Sequence, residues 1–293
     1  MGIVELLRQI PDIHFTENEN MSVKTSLAVG GNARYYVCPD SAHAVIECLK
    51  VADKANVPYK IIGNGTNLLV SDSGYNGLIV CTRNLCGVLL DKGETIALCG
   101  TPLVKLVNFV SGSGRTGAEG LIGIPATVGG ALTMNAGAFG YSVSDCVSEI
   151  TCVSGGEIIR RKKAECGFGY RTSAFKFSGE FIVSAKFRFP KRKVIIKNDF
   201  YERRLKNQPS GKTCGSVFKN PAGDFAGRLI ESAGLKNATV GGARVSEKHA
   251  NFIITEDGAT SRDVYDLIAE IKAIVLQKFG VRLKEEVEYL GEF

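Results

Sequence analysis

Between Ala118 and Gly137 small residues crowd together, among them Gly120, Gly123, Ala126, Gly129, Gly130, Ala131 and Ala136, and no charge follows Glu119. An apolar run of this kind has to be covered, and its glycines bring backbone rather than side chains to whatever covers it. Pro125 and the pair Gly129, Gly130 would let a planar group lie close. The segment therefore reads as a wall for a flat ring, or equally as a buried loop or β-bulge region under a sheet.

A second glycine segment stands earlier. The strand expected over 59–62 runs into Gly63, Asn64, Gly65, Thr66 and Asn67, followed by the apolar Leu68, Leu69 and Val70. Consecutive N–H groups in glycine-permitted conformations form a concave nest for anionic oxygen, though an ordinary tight turn explains the same residues.

Apolar spacing predicts a strand over 33–38 and a helix over 41–55, with Val45, Ile46, Leu49 and Ala52 on one face behind a Ser41 cap. Short strands follow around Val88 and Ile96, then a helix from Pro102 carrying Leu103, Leu106, Val107 and Val110 on one side. Alternating strands are expected over 149–153, 157–160 and 181–189, and a charged helix over 194–207. The last part is expected to hold helices over 224–233 and 261–279 and a closing strand over 286–290. A chain of 293 residues suggests two domains, and we place the boundary near 195.

Composition narrows the function. A dispersed net charge of +6 suits an anionic ligand and argues against a nucleic-acid partner. The nine cysteines are odd in number, and Cys38, Cys81, Cys99 and Cys152 sit in apolar runs, which reads as buried free thiols. No cysteine pair has metal-site spacing, and His14, His43 and His249 are scattered, so no metal site is expected. Residues 2–10 lack the positive flank and cleavage site of a leader, and no apolar run reaches membrane-spanning length. The expectation is a cytoplasmic protein, monomeric by preference. Gly112, Gly114 and Gly117 match a dinucleotide fingerprint but follow a helical face instead of a strand, and Gly211, Lys212 and Thr213 lack the earlier glycine of a phosphate loop. Both are set aside.

Taken in order, several blocks resemble MurB, the UDP-N-acetylenolpyruvoylglucosamine reductases. They are residues 25–31, 63–70 and 120–137, then Tyr170, Arg171, Thr172, Ser173 and Phe175, then 215–221, 226–235 and 245–253. The short path from Arg171 to the strand at Phe181 is similar to the family's compact second type. The resemblance implies an α+β fold. Residues 1–194 would form a two-part FAD module of the vanillyl-alcohol-oxidase type, with subdomains of about 1–82 and 83–194. Residues 195–293 would form an α+β substrate-binding domain. It further implies an enzyme that takes hydride from NADPH through non-covalent FAD to the enolpyruvyl ether of a UDP-amino sugar.

By the same resemblance, Gly63, Asn64, Gly65, Thr66, Asn67, Gly123, Ile124, Pro125, Thr127, Gly129, Gly130 and Ala131 would hold FAD. Arg171 would grip the substrate carboxylate and the developing enolate, Glu286 would donate to that enolate, and Ser216 would give the carbon its proton. Tyr170, Gln208, Lys219 and Asn220 would contact sugar or phosphate. Three departures stand out: Glu288 where the family usually has an arginine, Ala126 for a glycine and Thr66 for a serine. An oxidase on the same flavin fold, or a silent UDP-sugar binder invited by Glu288, are the alternatives.

Overall fold

The computed structural model describes residues 2–191 and 199–293. The chain divides into two compact units, neither of them continuous. The first takes residues up to Thr16, Tyr36–Asn64 and Gly77–Arg203, and the second takes Glu17–Tyr35, Gly65–Asn76 and Arg204–Phe293. The boundary expected near 195 lies outside the described residues, as do most of the first residues of the helix expected over 194–207; the described helix is Phe200–Asn207.

In the first unit Ser41 accepts the Ala44 N–H at 3.1 Å and starts the helix Ala42–Lys54, which buries Ala44, Val45, Cys48, Leu49 and Ala52. The following strand Tyr59–Ile62 pairs in parallel with Tyr75–Cys81, Ile62 opposite Cys81. Both belong to a four-stranded sheet completed by Asn32–Pro39 and Ile13–Asn20. Past the strand end, Thr82 returns its N–H and its hydroxyl to the Ile62 carbonyl at 2.9 and 3.1 Å, so the strand pair is closed where Gly63 begins.

A five-stranded antiparallel sheet lies wholly within this unit, in the order Glu157–Lys162, Val147–Ser154, Phe181–Phe187, Glu94–Leu98, Val88–Asp91. Its buried Ala97, Ile150, Phe181, Ala185 and Phe187 share a core with Leu103, Leu106 and Val110 of the helix Leu103–Gly112 and with Val128, Ala131 and Leu132 of the helix Val128–Met134.

The second unit is built on the helix Ser261–Phe279. Thr260 accepts the Asp263 N–H at 3.1 Å while the Asp263 carboxylate accepts the Thr260 N–H at 3.0 Å, a reciprocal cap. Asp72 adds a second one, taking the N–H groups of Ser261 and Arg262 at 2.9 and 3.1 Å. Gly280, at φ +68°, ends the helix in the left-handed conformation. Val264, Leu267, Ile268, Ile271 and Val275 of this helix pack with Leu229 and Ile230 of the helix Ala226–Ser232, with Ala243, Val245 and Ile253 of a three-stranded sheet, and with Leu27, Val29 and Leu69. The closing strand is shorter than expected, Glu288–Leu290, and pairs in parallel with Leu68–Val70. Its expected start is diverted, because the Glu286 N–H goes instead to the Val217 carbonyl at 2.7 Å.

Candidate functional site

In the first unit the glycine turn and the small-residue segment meet backbone to backbone. The Asn64 amide donates to the Pro125 carbonyl at 2.9 Å, and a Cβ on Gly63 would lie 2.3 Å from the Thr127 hydroxyl. Thr127 is buried and serves as the cap of the helix Val128–Met134, accepting the Gly130 N–H at 3.3 Å. Gly129 is pinned against Cys99: its N–H donates to the Cys99 carbonyl at 2.7 Å, and a Cβ there would stand 3.0 Å from the Cys99 Cβ. Ala131 is buried in the same helix. The residues from 128 to 134 are thus helical and not the buried loop or bulge that the composition also allowed. Gly123, Ile124 and Pro125 are irregular, partly exposed and uncharged, with Gly123 at φ +75°.

A flat, uncharged group fits these residues. Gly63 and Gly129 let backbone pack directly on Thr127 and Cys99, and the exposed strip at 123–125 carries nothing charged to desolvate. The first three N–H groups of the helix Val128–Met134 go to Thr101, Cys99 and Thr127. Those first three N–H groups of the helix are therefore already taken.

Tyr170 and Arg171 stand at the other end of that helix. Asn135 ends it with φ +45° and donates its amide to the Gly169 carbonyl at 2.9 Å, while its side-chain oxygen takes the Ser144 N–H at 3.3 Å. Ser173 adds a bond to the Thr133 carbonyl at 2.8 Å. Between these anchors Arg171 adopts φ +54°, a left-handed conformation that non-glycine residues rarely adopt, and its guanidinium donates to the Gly137 carbonyl at 2.8 Å. The same guanidinium lies 5.2 Å over the ring of the exposed Tyr170. Asn135 was not singled out from sequence, although an asparagine two residues before a glycine at a helix end is a recognisable left-handed terminator.

The second unit gathers another set. The segment 216–219 is held between two others: Val217 donates to the Asn251 carbonyl at 2.8 Å and accepts from Glu286, and Lys219 donates to the Lys284 carbonyl at 2.9 Å. Asn251, 4% exposed, braces it further by accepting the Phe218 N–H at 3.0 Å and donating to the Phe218 carbonyl at 2.8 Å. Half-buried Ser216 and Glu286 consequently sit on adjacent backbones, and Asn67 ties in by donating its amide to the Glu286 carbonyl at 3.0 Å. Glu286 also lies close to Cys214, whose thiol burial pushes up to about 12, with the Glu286 charge adding to it. Gly65, at φ +66°, is packed so that a Cβ would meet the Lys24 carbonyl oxygen at 2.5 Å, and Thr66 beside it is half-buried.

The remaining expected contacts carry local duties. The Asn220 side-chain oxygen accepts the Ala226 N–H at 3.1 Å, and that of Gln208 accepts from Arg204 at 2.9 Å. A cavity of about 440 Å³ in this unit is lined by Pro209, Ser210, Arg244, Ser246, Glu247, Lys248 and Ile254, none of them an expected site residue. Asn251 had no signal in the sequence beyond its place in the block 245–253.

Two family models match the chain: an FAD binding domain over residues 33–161, and the C-terminal domain of UDP-N-acetylenolpyruvoylglucosamine reductase over residues 207–290. Among curated relatives, UDP-N-acetylenolpyruvoylglucosamine reductase 2 of Bacillus anthracis is 35% identical, covering 97% of this chain and 95% of its own length. The reductase of Caldicellulosiruptor bescii is 38% identical, covering 96% of this chain and 92% of its own. The solved structure of the enzyme from Thermus caldophilus superposes with a TM-score of 0.80 at 30% identity, over 95% of this chain and 99% of that one.

Proposed function

The chain belongs to the UDP-N-acetylenolpyruvoylglucosamine reductase family, and from that premise we propose that it reduces UDP-N-acetylglucosamine enolpyruvate to UDP-N-acetylmuramate with NADPH, a step in making peptidoglycan precursors. It is a flavin-dependent oxidoreductase, and FAD, when bound, would supply the chemistry of moving a hydride from a nicotinamide to the vinyl carbon of the substrate. Residues 1–194 supply most of the flavin seat and residues 195–293 most of the substrate contacts. No helix among the described residues is long and apolar enough to cross a membrane. We place the protein in the cytoplasm with its sugar-nucleotide substrate and favour a monomer.

Hydride addition leaves negative charge on an enolate conjugated to the substrate carboxylate, and the chain's own groups have to meet both charges. The planar guanidinium of Arg171 binds carboxylate and enolate oxygen, pre-set by its tether to Gly137. Glu286, which has to take up a proton to do so, donates to the same enolate. Ser216 delivers a proton to the enolate carbon, which is basic enough to take one from a hydroxyl. By the family resemblance, Gly63, Asn64, Gly65, Thr66, Asn67, Gly123, Ile124, Pro125, Thr127, Gly129, Gly130 and Ala131 are the residues assigned to hold the flavin. Tyr170, Gln208, Lys219 and Asn220 receive the sugar and phosphates. The observation that carries the reading is the Glu286 to Val217 hydrogen bond, which sets the proposed acid and the proposed proton donor on neighbouring backbones.

The test is anaerobic. Protein showing a flavin spectrum is bleached with NADPH, and the enolpyruvyl sugar nucleotide is then added. Return of the yellow spectrum with the sugar is expected, and its loss in Ser216→Ala with bleaching by NADPH intact assigns Ser216 to the second half-reaction. Reoxidation only by air would replace this reading with an oxidase. A colourless protein that binds the sugar nucleotide would replace it with a silent binder, the reading favoured by Glu288 standing where an arginine is usual.

A further inference from the structure

In the second unit the helix Ser261–Phe279 and the segment after it enclose a cleft of about 270 Å³ that shares no residue with the flavin and substrate assignments. Tyr265, Ile268, Ala269 and Lys272 line it from the helix, at spacings of three and four that put them on one face. Glu285, Tyr289 and Phe293 close it from the following segment. The two ends differ in kind. At one, Tyr265 stacks on Phe293 with ring centroids 5.1 Å apart, and Tyr289 stands edge-on to both at 5.5 and 5.2 Å. At the other, Lys272 donates to a Glu285 carboxylate oxygen at 2.6 Å, with both side chains partly open to solvent. Tyr289 joins the ends, because burial pushes its phenol up and the Glu285 charge adds to that, which keeps a neutral hydroxyl beside the carboxylate. Between the ends the helix offers only the methyl of the exposed Ala269, next to the buried Ile268.

We propose that this cleft binds a free amino acid with an aromatic side chain, its carboxylate on Lys272, its ammonium on Glu285 and its ring against Tyr265, Tyr289 and Phe293. An ammonium can donate more than once and a carboxylate accept more than once, so the bond between Lys272 and Glu285 leaves donors and acceptors over, side by side. That arrangement is the complement of a zwitterion, whose opposite charges sit on one carbon. A ligand carrying a single charge would satisfy one member of the pair and set a like charge against the other. From the head group the side chain runs over Ala269, where nothing larger than a methyl obstructs it, and ends on the aromatic trio, which takes a flat apolar ring. Size agrees, since clefts for drug-sized ligands run to roughly 300–1,000 Å³ and this one falls just below them. The site stands whether or not the reading of the reaction does.

The probe is L-phenylalanine. Equilibrium dialysis of the full chain as purified against the radiolabelled amino acid should show a single saturable site with a dissociation constant of roughly 0.1–1 mM, ordinary for a ligand of this size. Phenethylamine, which lacks the carboxylate, and hydrocinnamate, which lacks the ammonium, should each compete about tenfold more weakly or worse. Ala269→Leu fills the middle of the cleft from an exposed helical position that accepts leucine readily, so it should abolish binding with the melting temperature unchanged. Glu285→Gln keeps the shape and removes the charge, and should erase the preference for L-phenylalanine over hydrocinnamate. The absence of saturable binding at millimolar concentration would overturn the proposal. So would full binding by folded Ala269→Leu, which would put the amino acid elsewhere, or a single-charge analogue binding as tightly as L-phenylalanine, which would take the ion pair out of recognition.

Discussion

At the scale of single residues, His249 sets how the second unit responds to acid. Its Nδ1 accepts the Asn251 N–H at 3.2 Å and its ring packs 4.8 Å from Phe252, while Asn251 braces the segment that carries Ser216. Burial holds this imidazole below its ordinary 6.5. The unfolded chain therefore binds the proton first as pH falls, so the stability this neutral ring contributes is whole above 6.5 and drains as pH drops from there toward the folded value. Melting temperature should fall between about pH 7 and about pH 5.5, and His249→Gln should flatten that fall. Equal slopes in the two proteins would remove His249 from the account. Residue types were readable here in a way their settings were not. Arg171 and Ser216 could be picked out from the sequence as candidates, but the left-handed backbone of Arg171 and its bond to Gly137 come from a neighbour 34 positions away. Asn251 likewise acquires its bracing role only because residue 218, 33 positions before it, folds against it.

At the scale of elements, the helix Val128–Met134 shows where local reasoning stops. Paired glycines each disfavour a helix by about 1 kcal/mol, so composition argues for a loop. The helix forms nonetheless, because Thr127 caps it and Gly129 is the one residue small enough to lie on Cys99. The strand Ile13–Asn20 was hidden for the opposite reason, since its mostly exposed, polar residues leave no apolar alternation to detect. The cap and the turn are linked, because a side chain at 63 would collide with the Thr127 hydroxyl. Thr127→Ala should cost about 1 kcal/mol and lower the melting temperature by roughly 2–4 °C. Gly63→Ala should lose at least that much and also weaken FAD binding, by about tenfold if the displaced turn forfeits ~1.4 kcal/mol of flavin contact. Thermal melts and flavin fluorescence titration read the two effects separately, and unchanged FAD affinity in Gly63→Ala would take the turn out of the flavin seat.

For the molecule as a whole, the order of motifs along the chain was enough to reveal the family, yet the physical partition ignores that order. The second unit draws Leu27, Val29 and Leu69 from segments far upstream into a core otherwise made of residues after 204, and these three are 0%, 4% and 0% exposed. Its strand Glu288–Leu290 has Leu68–Val70 as its parallel partner, a pairing across more than two hundred positions that no local pattern announces. The cap from Asp72 on the helix Ser261–Phe279 comes from the same upstream stretch. A fragment of residues 204–293 would thus expose the contact faces of three buried aliphatic side chains, each contributing roughly 1.5–3 kcal/mol, and lose a strand partner and a cap. That loss is comparable to the whole stability of an ordinary domain, about 5–15 kcal/mol. The fragment should show no cooperative thermal transition and should bind a hydrophobic dye, whereas the intact chain should melt cooperatively without binding it. A fragment that melted sharply and left the dye in solution would mean that the upstream segments decorate this core instead of completing it.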